Sequence, residues 1–117
     1  MNESMGSACA VVASSEIGAV PFLVDDGKNG FIYKDGDFED LYQKVKMLCQ
    51  DQGLRESVGR EAYRTIDQVW NAEIAAKRFL ELIEDINKQG GSDRYETGPC
   101  SRAAILKDGW YPCKQKN

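Results

Sequence analysis

Residues 3–14 read ESMGSACAVVAS, and residues 17–33 read IGAVPFLVDDGKNGFIY. In the first stretch, Cys9-Ala10-Val11-Val12-Ala13 is an unbroken apolar run with two β-branched residues inside it. Such a run, not alternating with polar residues, predicts a short strand buried on both faces, as in a parallel sheet. Residues 3–8, rich in small side chains, read as the end of a helix. Residues 14–20 read as a loop containing Gly18, where glycine permits a tight backbone. Pro21 then opens a helical turn over residues 21–24, because its fixed φ suits a first helical position. Residues 25–30, DDGKNG, are dense in turn formers. Phe31-Ile32-Tyr33 is a second strand, broken by Lys34-Asp35-Gly36.

Three helices follow. Asp37 is placed to cap the first, with Glu39 and Asp40 in its opening turn, where the helix dipole favours negative charge. Phe38, Leu41, Tyr42, Val45, Leu48 and Cys49 recur at the spacing of one packed helical face. Gly53 separates this helix from a second, in which Leu54, Val58, Ala62 and Ile66 recur every four residues. Asn71 caps a third, with Ala75, Phe79, Leu82, Ile83 and Ile86 as its apolar stripe. Its charged residues Lys77, Arg78, Glu81, Glu84 and Asp85 read as a solvated face. Trp70, just before the cap, has the position of a hydrophobic staple. Trp70 and Trp110 read as packing anchors, and Lys28, Lys34 and Arg55 as surface residues. Gly90-Gly91 ends the regular structure. This divides the chain into a domain over residues 1–88 and a tail over residues 89–117 of mixed polarity and no clear period.

Strand, loop, short helix, strand, helix is half of an open α/β sheet. Two short strands with three long helices is an unbalanced count, from which we expect further strands amino-terminal to this chain. At 117 residues the chain suffices for one modest domain. Its 42% hydrophobic content is that of a globular protein. A net charge of −4 gives no electrostatic footprint for nucleic acid or for an anionic membrane. No run approaches the roughly 18 apolar residues that span a bilayer. The start carries no basic segment followed by an apolar core, so the expectation is a cytoplasmic location, with peripheral membrane association as its variant.

The four cysteines, Cys9, Cys49, Cys100 and Cys113, form no C-x-x-C pair, and histidine is absent. The expectation is therefore no metal, no cofactor and no catalytic nucleophile within the chain. Cys9 and Cys49 lie in apolar patterns and read as small buried hydrophobes. Cys100 and Cys113 lie in the tail and would pair only in an oxidising compartment.

ESMGSACAVVAS resembles the E-A-M-A-C-G-x-P-V-V-A-S signature of the retaining glycosyltransferases of group 1, or family four, which have a GT-B fold. The resemblance continues through IGAVPFLVDDGKNGFIY, which is similar to the family's G-G-x-P-E-L-V, a turn and N-G-x-x-x. It extends through the LYQKVKMLCQD helix and LRESVGREAY, covering roughly residues 3–86. GPCSRA and Gly109-Trp110-Tyr111 are similar to the ends of some bacterial surface-polysaccharide members. Three departures stand out. Ala8 and Ala10 replace the family's glycine and proline, and Phe22 stands where many members have glutamate. Of the family's two glutamates seven residues apart, Glu3 matches the second, while the first and the upstream basic residues used on donor phosphates fall before residue 1.

The resemblance implies an α/β fold, a partial Rossmann-like half of a GT-B fold with short parallel strands followed by three helices. It implies a nucleotide-sugar donor, a glycan or lipid-linked acceptor in cell-surface polysaccharide synthesis, and an amino-terminal domain that completes the enzyme. Glu3 would accept hydrogen bonds from the ribose hydroxyls of the donor. Gly6, Ser7 and Gly18 would lie by the same crevice, although small residues at 6 and 7 suit close helix packing equally well. The isolated chain is expected to be inactive, to bind no nucleic acid and to self-associate through uncovered apolar faces. The rival reading is a non-catalytic α/β interaction module on the same scaffold.

Overall fold

The computed structural model describes residues 1–91, 93–103, 105–107 and 109–111. In chain order the elements are α1 (Asn2–Gly6), β1 (Val12–Ser14), α2 (Val20–Leu23), β2 (Phe31–Tyr33), α3 (Phe38–Gln50), α4 (Gln52–Gln68) and α5 (Ala72–Gln89). β1 and β2 pair in parallel, with Val12 opposite Phe31 and Ser14 opposite Tyr33. The α/β reading with short parallel strands and three long helices holds.

β1 is shorter and later than the apolar run suggests. Its ladder begins where Phe31 N–H donates to Val11 C=O (2.9 Å) and closes where Ser15 N–H donates to Tyr33 C=O (2.9 Å). A strand is only as long as its partner, and the turn at Gly30 stops β2. Residues 9–11 therefore serve as the link from α1 to the sheet, and Val11 and Val12 are half-buried rather than enclosed on both faces.

Met5, Ala13, Val20, Leu23, Val24, Ile32 and Ala62 form the core, with Trp70, Trp110 and Tyr111 packed on its margin. Both tryptophans thus act as packing anchors. α1 lies on α4, and their approach is set by Gly59: a Cβ there would stand 2.1 Å from the Ala8 carbonyl oxygen. Ala8 itself has φ 58°, the left-handed region that disfavours a side chain. The family's glycine at this position is the residue that this backbone suits. Asn29 ties the turn to α4 while 5% exposed. Its Oδ1 accepts from Asp25 N–H (2.7 Å), and its Nδ2 donates to Leu23 C=O (3.0 Å) and Thr65 Oγ1 (2.9 Å).

The helix caps follow the sequence at two of three places. Asp37 accepts from Asp40 N–H (3.0 Å) and Asn71 from Ile74 N–H (2.9 Å). Between α3 and α4, however, the break is at Asp51, not Gly53. Asp51 ends one helix and accepts from Leu54 N–H (2.9 Å) to start the next, and Gly53 lies in the first turn of α4.

The expected packed face of α3 is covered only in part. Leu48 is buried, whereas Phe38 is 79% exposed and Tyr42 and Val45 are also exposed. Cys9 and Cys49 are both exposed, contrary to the buried reading. They lie along an open groove of about 620 Å³ where Val12, Val45 and Leu48 meet the start of α4, and no described residue covers the thiols there. Cys100 is half-buried, and Cys113 lies outside the described residues.

The tail corrects a further expectation. Arg78, Glu81 and Asp85 do not merely face water. Arg78 donates to Thr97 C=O (2.7 Å) and lies over the Tyr95 ring at 4.2 Å. Arg94 bridges to Asp85 (2.7 Å) and Glu81 (3.5 Å), and the Tyr95 hydroxyl bonds Glu81. Lys77 and Glu84 remain exposed. The tail then reaches the sheet, where the Tyr111 hydroxyl lies 2.7 Å from Asp26 Oδ2 and 2.9 Å from Ile32 C=O.

Candidate functional site

In a parallel α/β unit, ligands gather beyond the carboxyl ends of the strands, because helix starts and loops converge there. At that end β1 finishes at Ser14 and β2 at Tyr33. α1 begins beside them. A groove of about 410 Å³ runs along β1 and its lead-in, lined by residues 9–14, by Met1 and Ser4 at the first helix, and by Ile17 and Tyr33. This volume lies within the range of small-molecule sites. Most of its lining is apolar, with Ser4, Ser14 and Tyr33 as the hydroxyl-bearing residues.

A small network fixes the floor of this end. Ser14 Oγ donates to Asp35 Oδ1 (2.8 Å) and accepts from Glu16 N–H (3.2 Å). Ser15 Oγ accepts from Asp35 N–H (3.2 Å), and Ser15 C=O accepts from Trp110 Nε1 (3.2 Å). Both serines are buried. The sequence shows Ser14 as the last residue of the quoted signature, but carries no signal that Asp35 closes on it from 21 residues away.

The four residues singled out from the sequence are not one cluster. Glu3 is exposed in the first turn of α1, beside the groove-lining Ser4, and its side chain makes no hydrogen bond among the described residues. Gly18 follows the groove-lining Ile17, is exposed, and has open space where a Cβ would be. Its backbone is not left-handed, so the fold alone does not require glycine there. Gly6 faces α4, its Cβ position 3.7 Å from Ile66. Ser7 is the exposed carboxyl cap of α1. Glu3 and Gly18 are thus sequence neighbours of groove-lining residues rather than part of the lining, while Gly6 serves helix packing.

The expected surface residues sit as read. Lys28 is exposed and pairs with Asp25 (3.3 Å). Lys34 is exposed, and the exposed Arg55 donates to the end of α3 at Leu48 C=O (2.7 Å). The groove lining includes no basic side chain among the described residues.

Residues 1–65 match the family model described as glycosyl transferases group 1. The chain belongs to this family. The matched part runs from α1 into α4, so it contains the groove, the buried turn at Asn29 and the Gly59 contact. Among curated relatives, a capsular polysaccharide biosynthesis glycosyltransferase of Staphylococcus aureus is 28% identical over 79 residues, covering 68% of this chain and 20% of that protein. A sulfoquinovosyl transferase of Arabidopsis thaliana is 34% identical over 74 residues, covering 60% of this chain and 14% of that protein. The group 1 chain described here therefore spans about a fifth or less of the relatives it matches. No solved structure is matched.

Proposed function

We propose that this chain is part of the nucleotide-sugar-binding half of a retaining group 1 glycosyltransferase with a GT-B fold. The reading rests above all on one observation. The segment that matches the family, residues 1–65, folds into a parallel unit whose first helical turn, bearing Glu3, contributes Ser4 to a groove that runs along β1 as far as Ser14 and Tyr33 at the strands' carboxyl ends.

In this reading the Glu3 carboxylate accepts hydrogen bonds from the ribose hydroxyls of the donor, and its exposure leaves both oxygens available. Gly18 lets the ligand approach the loop backbone, and Gly6 keeps α1 close to α4. A departing diphosphate needs positive charge as the sugar leaves. The groove lining is mostly apolar, through Val11, Val12, Ala13 and Ile17, and carries no basic side chain among the described residues, so the charge comes from elsewhere in the complete enzyme. The acceptor is a glycan or lipid-linked sugar, and the process is cell-surface polysaccharide assembly, in line with the printed name of the staphylococcal relative. The working location is cytoplasmic, at or near a membrane surface. No transfer is expected from the 117 residues by themselves.

The test is calorimetric titration of UDP-, GDP- and ADP-sugars, and of the free diphosphates, into this chain and into the longest in-frame product that contains it. Binding of at least one nucleotide by the longer product is the expected result. No binding by either protein overturns the proposal. Exposed apolar side chains on α5, among them Phe79 and Leu80, favour a second reading, the interaction module. Saturable binding of a polypeptide with no nucleotide binding would select it.

A further inference from the structure

We propose that Trp110, anchored by Tyr111, is a positioning residue for the donor groove, acting through Ser15. The inference rests on the donor-binding reading above and names a support for that site outside the family-matched segment.

Ser15 starts the loop that carries Ile17 into the groove. It is 5% exposed. Its N–H and hydroxyl are held from within the matched segment, by Tyr33 C=O and Asp35 N–H. Its carbonyl is held from the tail, by the Trp110 indole N–H at 3.2 Å. A buried carbonyl that loses its donor is costly, and the peptide turns to find another. The loop beyond hangs on the same turn, with Ile17 N–H donating to Ser14 C=O (3.2 Å) and Val20 N–H to Ile17 C=O (2.9 Å), so that rotation carries into it.

Trp110 in turn is fixed by its neighbour. The two rings meet edge to face at 5.7 Å. Tyr111 is held at the outer edge of β2, its hydroxyl on Asp26 and Ile32 and its ring 5.8 Å from Lys44 Nζ. The sheet thus grips Tyr111, Tyr111 backs Trp110, and Trp110 sets the orientation of the Ser15 peptide. The tail contributes to ligand geometry without touching the ligand.

The test is Trp110→Phe, which keeps an aromatic ring and removes the N–H donor. Two quantities are read on the longest in-frame product: hydrogen exchange at the Glu16, Ile17 and Val20 amides, and calorimetric affinity for the nucleoside diphosphate that the wild type binds best. The expected result is faster exchange at these amides and an affinity lowered about fivefold, the effect of one lost hydrogen bond. Val58→Ala, which destabilises α4 at a buried residue outside the groove lining, should leave both readings unmoved. Unchanged exchange in Trp110→Phe, or faster exchange with unchanged affinity, overturns the positioning role. So does an equal loss of affinity in Val58→Ala, since the effect is then global. A wild type that binds no nucleoside diphosphate instead sinks the donor-site reading and this inference with it, an outcome distinguishable by the wild-type titration alone.

Discussion

At the scale of single residues, one contact decides how the first helix meets the fourth. The Ala8 carbonyl occupies the space that a side chain at 59 would need. Gly59→Ala must push α1 from α4 and is expected to cost on the order of 3 kcal/mol in urea denaturation, the upper range for overpacking. A cost below about 0.5 kcal/mol would show that the contact is not tight. Ala8→Gly acts in the opposite sense. It relieves a left-handed φ that costs a side chain about 1–2 kcal/mol, offset by the greater freedom of glycine in the unfolded chain. A net gain of up to about 1 kcal/mol is expected, and a clear loss would contradict it.

Tyr111 supplies a pH test at the same scale. Burial, and then the hydrogen bond and charge of Asp26, push its phenol well above the ordinary value of 10. The neutral phenol is thus the form that the fold prefers. Its contribution is fully present below pH 10 and is lost as pH rises above that value, because the unfolded chain then releases a proton that the folded chain keeps. Measured by urea denaturation between pH 8 and 11, the stability advantage of wild type over Tyr111→Phe should shrink only above about pH 10. A constant difference would contradict the raised phenol. Such residue-level facts are hard to read from sequence. DDGKNG is plainly a turn, but nothing in it says that Asn29 becomes a buried three-way hydrogen-bonding hub.

At the scale of elements, sequence works best where the cause is local. Asp37 and Asn71 cap their helices because the donors they satisfy lie three residues ahead, within one turn. Phe31–Tyr33 is bounded by turn formers on both sides. β1 was less legible because its limits are set by the length of β2, not by its own apolar run. Burial failed at Cys9 and Cys49 for a similar reason: periodicity marks a face, and another element must cover it. α3 and α5 leave Phe38, Tyr42, Phe79 and Ile86 exposed. Apolar surface of this kind promotes association. Light scattering of the isolated chain should give a mass that rises with concentration, and the rise should weaken in Phe79→Glu with Ile86→Glu. A constant monomer mass in wild type would contradict the expectation.

The whole molecule is extended, with dimensions of 52 × 31 × 18 Å. Its radius of gyration is 16.5 Å, against about 13 Å for a compact domain of this length. No element packs extensively along α5 among the described residues, and the tail links it to the rest through Arg78, Arg94 and Tyr95. This return of the tail was invisible in the sequence. Its partners lie up to 95 residues away and follow no period. The α/β class and the family were legible because the ESMGSACAVVAS stretch and the segment after it combine local structure with a fixed order of motifs. That Glu3 and Gly18 each stand next in sequence to a residue lining one groove followed only from the fold.

The central claim is that this groove receives a donor nucleotide against Glu3. The most direct measurement is nucleoside diphosphate affinity of the Glu3→Ala variant of the longest in-frame product, with urea denaturation alongside. Because Glu3 is exposed and makes no side-chain hydrogen bond among the described residues, stability should stay within about 0.5 kcal/mol of wild type. Affinity should fall about tenfold or more, the effect of losing hydrogen bonds to a charged acceptor. Unchanged affinity in a fully folded Glu3→Ala protein would contradict the account.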